Sequence, residues 1–297
     1  MTLSFAKCLN IGLCLCVSVT LIAQKPTFFL APKWSKGDAR RFELTKGKHI
    51  VKNKTETTEN ESRQTVTVSV VEASAKGFVM SARYENTLNS PDAIDVRYAL
   101  SVQGEFQGIV NMPNVKESFN NLFDNLTTKA STTPSVLQTI DGLRQFMTSD
   151  SYITNQVFQE LALVHQFYNN RFTVDSLERY ETQLPNTLNP NGDLIRAKAT
   201  LLAKKEGDIA YIRHTVEPDM GFLNQQAKHL INRMTAAPSS KLSVNTPPVL
   251  VTDAALYDED FCSFNVHTGW LAAFQRKRTI LEGDVKTVEF VLMKEIH

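Results

Sequence analysis

Residues able to do chemistry are present, but few stand in arrangements that chemistry requires. Cys262 lies where Cys262, Phe264 and Val266 share one face of a strand and Ser263, Asn265 and His267 the other. A thiol on the apolar face is a packing group, since free cysteine is among the most buried residue types. His214 shares a strand face with Ala210, Ile212 and Val216, and His165 continues a helical stripe with Phe158 and Leu161, so both read as core-edge histidines. His49, His229, His267 and His297 have no acidic partner at useful spacing. Asp258-Glu259-Asp260 lacks the further oxygen ligands of a calcium loop and reads as the solvated start of a strand. Arg276-Lys277-Arg278 splits between two strand faces and reads as a solvated, edge-protecting ladder with Glu289 or Glu295 as partner.

The common reaction motifs are missing. There is no Gly-x-Ser-x-Gly turn, no phosphate-cradling glycine loop, no His-Glu-x-x-His run and no cysteine pair past residue 23. The sequence therefore nominates no catalytic residue, no cofactor and no metal ligand. A hydrolase with paired carboxylates stays open as an alternative, because its acids can be far apart in sequence.

The elements that would position these residues begin after residue 23. Lys7 precedes the apolar run Cys8–Ala23, and Leu21 with Ala23 stand at cleavage positions, the pattern of a secretory signal peptide. At about 16 residues the run is shorter than the roughly 20 a bilayer span needs. Cys14 and Cys16 each follow a leucine (Leu13, Leu15) where a lipoprotein signal carries a small residue, so no lipid anchor is expected. A soluble secreted or periplasmic chain beginning near Gln24 follows, without transmembrane insertion. It keeps Cys262 alone, which excludes an intrachain disulfide. Of 32 basic and 31 acidic residues in all, only Lys7 is lost, so the formal charge falls to zero and nucleic acid is excluded as a partner.

With 42% hydrophobic and 21% charged residues, the 297-residue chain has the composition of a packed globular protein. Residues 24–112 form an N-terminal β region. Its first segment, Lys25–Lys36, runs extended, followed by a strand over Arg41–Val51, a polar loop over Lys52–Arg63, and hairpins over Thr65–Tyr84 and Asp95–Met112. Residues 113–170 form a helical block of three helices that starts at Pro113. In its first helix Phe119, Leu122, Phe123 and Leu126 make an apolar stripe wide enough to cover the sheet face bearing Val66, Val68 and Val70, and this stripe is the candidate face for an apolar ligand. Residues 171–297 form a C-terminal β region, with a hairpin around Glu206-Gly207-Asp208, one helix over Asp219–Met234, a proline-rich linker over Thr235–Pro248 and three closing strands. The expected fold is α+β: a mostly antiparallel twisted sheet or half-barrel of about eleven strands with a helical insertion. Thr65–Tyr84 aligns with Arg196–His214, and Val102–Phe106 with Val266–Trp270, which suggests an internal pseudo-repeat; the alternative is that any two amphipathic hairpins look alike.

A signal ending Leu21-Ile22-Ala23-Gln24, the motif Trp34-x-x-Gly37-Asp38 leading into a strand, and hairpins with Gly269-Trp270 resemble uncharacterised secreted or envelope proteins of the Bacteroidota. The alternating long strands and inserted helices are also similar in outline to periplasmic lipoprotein carriers, whose curved half-barrel holds an acyl chain beneath helices. These likenesses imply no catalytic residue. The first functional expectation is a non-enzymatic envelope protein that binds a protein partner or an apolar small molecule between sheet and helices. A hydrolase with dispersed carboxylates, or a structural subunit pairing through a sheet edge, is the alternative.

Overall fold

The computed structural model describes residues 25–52, 55–85, 93–129, 134–184, 194–225 and 255–296. The expected signal peptide and linker lie outside these residues; of the helix expected over Asp219–Met234, residues 220–225 are described and are helical.

Period-two alternation builds the main sheet. In β2 (Ala39–Lys52), β3 (Thr55–Ser74), β4 (Gly77–Glu85), β5 (Ile94–Leu100) and β6 (Phe106–Ile109) every strand pairs antiparallel with its sequence neighbour. A second meander runs through β8 (Ser176–Leu184), β9 (Ile195–Glu206), β10 (Ile209–Pro218), β11 (Ala255–Asn265), β12 (Leu271–Glu282) and β13 (Val285–Ile296). The last strand pairs with the first, β13 against β2 with Met293 opposite Leu44. One eleven-stranded sheet results, in the order β6-β5-β4-β3-β2-β13-β12-β11-β10-β9-β8, open at both ends rather than closed into a barrel. The two expected β regions are thus parts of one sheet, and the two aligned segments are the hairpins β3–β4 and β9–β10.

One face of this sheet carries the core. Phe42, Leu44, Val66, Val68, Met80, Ala82, Tyr84, Val96 and Tyr98 line its N-terminal half, and Ala210, Ile212, Cys262, Phe264, Phe274 and Met293 its C-terminal half, all buried. Above it lie a small sheet of β1 (Thr27–Leu30) with β7 (Asn170–Thr173), and the helices α1 (Met112–Lys129), α2 (Pro134–Met147), α3 (Asp150–Tyr152) and α4 (Gln159–His165). A π-helical turn, Ile153–Val157, separates α3 from α4, so the third expected helix is broken where the sequence pattern runs on. No helix among the described residues is long and apolar enough to cross a membrane.

Two expectations are corrected here. Of the loop expected over Lys52–Arg63, Lys52 ends β2 and residues 55–63 are the first half of β3, where Glu56 faces Val51 and Arg63 faces Thr45. This arm of the β2–β3 hairpin reaches beyond the core, so neither face needs apolar residues and the alternation that marks a buried strand is absent. The helix covering Val66, Val68 and Val70 was expected to be α1, but Val68 lines a cavity shared with Trp34, Leu161, Val164 and His165. The segment after β1 and α4 fill that place, while α1 lies against β5.

Gly269 shows how closely the cover meets the sheet. Its φ is +76°, and a Cβ there would stand 2.4 Å from the Ala31 carbonyl oxygen, whereas Gly207, at φ +57°, has nothing within 4 Å of the corresponding point. Gly269→Ala is expected to destabilise by about 2 kcal/mol or more and Gly207→Ala by about 1 kcal/mol, since only the first adds a clash to the left-handed backbone cost. Urea denaturation of both variants checks the difference.

Candidate functional site

The inner sheet face changes character along its strands. Beyond the apolar region, register sets His214, Asp260, Arg276, Val291 and Lys46 side by side across β10, β11, β12, β13 and β2. One step further, Asp258, Arg278, Glu289 and Lys48 form a parallel row of alternating charge. Arg276 Nε donates to Asp260 Oδ1 at 2.7 Å and its Nη2 to Oδ2 at 3.0 Å, and Arg278 grips Asp258 in the same fork at 2.8 Å on both bonds. Asp260 is fully buried. Burial favours its neutral form, but His214, whose Nδ1 lies 3.6 Å from Oδ2, and the Arg276 guanidinium outweigh this and hold the carboxyl below its usual range. His214 Nε2 stands 2.9 Å from the Tyr180 hydroxyl, with the two rings stacked.

These rows correct two sequence readings. Asp258 and Asp260 are not a solvated strand start, and Arg276 and Arg278 do not protect an edge, because β12 is an interior strand. Fork geometry lets each arginine satisfy both oxygens of a buried carboxylate, which lone charges on an apolar face do not achieve. The missed signal was parity: Asp258 and Asp260 share the face already assigned to Cys262 and Phe264, as Arg276 and Arg278 share the face of Phe274. His49, expected to lack an acidic partner, has its Nδ1 2.8 Å from Glu56 Oε1 across the β2–β3 hairpin. Cys262 sits fully buried on the apolar face as expected, and burial pushes its thiol up well above the ordinary value.

A second polar group ties the cover to the sheet. Glu160 on α4 is fully buried; Tyr84 donates to its Oε1 at 2.9 Å and Lys46 Nζ lies 2.8 Å from its Oε2. Lys46 also donates to the Val157 carbonyl at 2.6 Å, at the end of the π-helical turn. Beside this tie, Trp34, Phe42, Met80, Tyr98, Tyr168 and Trp270 line an apolar cavity of about 30 Å³. The Trp34 Nε1 donor is buried there without a hydrogen-bond partner in the protein. His165 closes one side: its Nδ1 faces the Gly104 carbonyl at 3.0 Å, and burial lowers its pKa to about 4, so the neutral ring donates from Nδ1.

The expected ligand face divides. Phe119 is buried and meets Phe158 edge-on at 6.3 Å, and Leu122 packs partly buried against the same core. Phe123 is buried under the Arg144 guanidinium of α2, 5.9 Å from its ring centre. The Leu126 side chain lies outside the described residues. The stripe thus serves the packing of α1, and the cavity lies elsewhere. Among the described residues no group of three or more His, Cys, Asp or Glu is gathered to hold a metal ion.

Lys46→Met should cost about 3 to 5 kcal/mol because it leaves Glu160 buried and unpaired, whereas Lys46→Met with Glu160→Gln should cost clearly less; chemical denaturation of the two variants reads the difference. His165 gives a pH dependence. Its pKa falls from 6.5 to about 4 on folding, so the unfolded chain binds more protons between those values; stability is full above about pH 6.5 and declines as the pH falls toward 4. Between pH 7 and 4.5 the wild type should lose about 2 to 3 kcal/mol more than His165→Asn, which keeps a donor and removes the titration. Compared with known proteins, the chain matches no family model and no curated sequence.

Proposed function

We propose that this chain is a non-enzymatic binding protein, exported by the signal peptide read at residues 1–23 to the periplasm or medium, that takes an elongated apolar molecule between the inner sheet face and its cover. One observation carries the reading: the cover meets the sheet around an aromatic-lined cavity and is tied there by Lys46, which reaches Glu160 and the carbonyl at the helical break in the cover. A break of this kind is a natural hinge. Its release would uncover an apolar concavity lined by Phe42, Val68, Met80, Leu271 and Met293, the kind of surface that accepts an acyl chain. The likeness in outline to lipoprotein carriers supports the same ligand class. A hydrolase reading has less support, because Asp258, Asp260 and Glu160 are each engaged by a cation and none is poised as a general acid or base.

The test is fluorescence titration with a dansyl-labelled fatty acid. Saturable micromolar uptake by the wild type is expected, tightened several-fold in Lys46→Met with Glu160→Gln. Uptake by that double variant alone would also support the reading, with the wild type held closed. The absence of saturable uptake by both proteins, each melting cooperatively, would overturn it.

A further inference from the structure

The open sheet has two unlike edges. β6 is four residues long, with its pairing to β5 irregular between Ala99 and Leu100. Short, irregular edges of this kind resist pairing with another chain. β8 is nine residues long, contains no proline, pairs to β9 without a register shift and is exposed over most of its length. Among the described residues nothing pairs with its outer side.

The β8 sequence, Ser-Leu-Glu-Arg-Tyr-Glu-Thr-Gln-Leu, is complementary to itself when reversed about Tyr180. Antiparallel pairing of two identical edges must set inner-face residues against inner-face residues, so the two-fold axis passes through a residue position. An axis at Glu178, Arg179 or Glu181 sets like charges against each other, and one at Thr182 or Leu177 shortens the overlap. With the axis at Tyr180 all nine residues pair. Arg179 then stands opposite Glu181 of the other copy, twice; Glu178 meets Thr182, Leu177 meets Gln183, and no like charges face. Among the described residues no ion pair engages Arg179 or Glu181, whose neighbours on β9 are Thr200 and Lys198. Tyr180, 42% exposed and held by His214, meets its own copy at the axis.

We propose that β8 is a homodimerisation edge: two copies of this chain pair antiparallel through Ser176–Leu184 about a two-fold axis at Tyr180, joining two eleven-stranded sheets into one. The interface is independent of any ligand in the apolar cavity.

Sedimentation equilibrium of the purified chain from about 5 to 500 μM tests this, at low and high salt. A reversible dimer is expected in wild type. Arg179→Glu places carboxylate opposite carboxylate at both pairs and should weaken dimerisation at least tenfold; Glu181→Arg should do the same with cations. The double variant, Arg179→Glu with Glu181→Arg, restores opposite charges across the axis and should recover most of the wild-type association. Thermal melts at low concentration separate loss of pairing from loss of fold, which matters for Glu181→Arg because Lys198 lies beside it. A monomer throughout the range, or a dimer indifferent to the single charge reversals, would overturn the proposal.

Discussion

The pairing of β2 with β13 is the constraint on which the other features depend. Residues 41–52 meet residues 285–296 in an unbroken antiparallel ladder, and without it the two meanders would be separate sheets with two more raw edges. The ladder places Leu44 against Met293 under the middle of the cover. It also aligns Lys46 with Val291 and Lys48 with Glu289, bringing the tie to α4 next to the arginines of β12. The long connection from β6 to β8, which carries the helices and β7, joins the two outer edges of the sheet, so the meanders meet in space only through this ladder.

Much of this architecture is legible in the residues. Alternation in Val66, Val68 and Val70, or in Ala210, Ile212 and His214, assigns strands because one face is buried and the other wet. The same argument fails where both faces are wet, as over Thr55–Arg63, and where the buried face is itself charged, as at Asp258 and Asp260. The partition of the candidate site had no such signal. Phe119, Leu122 and Phe123 form a stripe that any core would use, and which sheet residues it meets depends on where a loop of the chain ends. Trp34 stands in an extended segment that also carries Phe28 and Phe29; that it lines the cavity follows from β1 pairing with β7, a pairing between strands of four residues that no local pattern announces.

Charged rows on an inner sheet face need an account, because replacing such pairs by apolar residues often costs no stability. Here their worth lies in register. β11, β12 and β13 are long strands, paired without a shift from Ala255 to Ser263 and from Ala273 to Glu282, and over those stretches apolar side chains alone tolerate a slip of two residues, which keeps inner faces inward. That slip would set Asp260 against Arg278 and leave Asp258 and Arg276 without forks. The two forks therefore reward one alignment over its nearest competitors, a role that apolar packing fills poorly.

The two tryptophans of the chain stand together at the junction between cover and sheet. Trp34 belongs to the segment after β1 and Trp270 to the turn before β12; their ring centres lie 5.1 Å apart, both rings are 6% exposed, and the Arg40 guanidinium lies 5.3 Å from the Trp270 ring centre. At this separation the indole transitions couple, so the near-ultraviolet dichroism of the whole protein is dominated by one pair in one place. Movement of the segment after β1 off the sheet would separate the pair and let water reach both rings, while the strands keep their far-ultraviolet signal. The chain thus carries its own optical gauge of the cover, with no label needed.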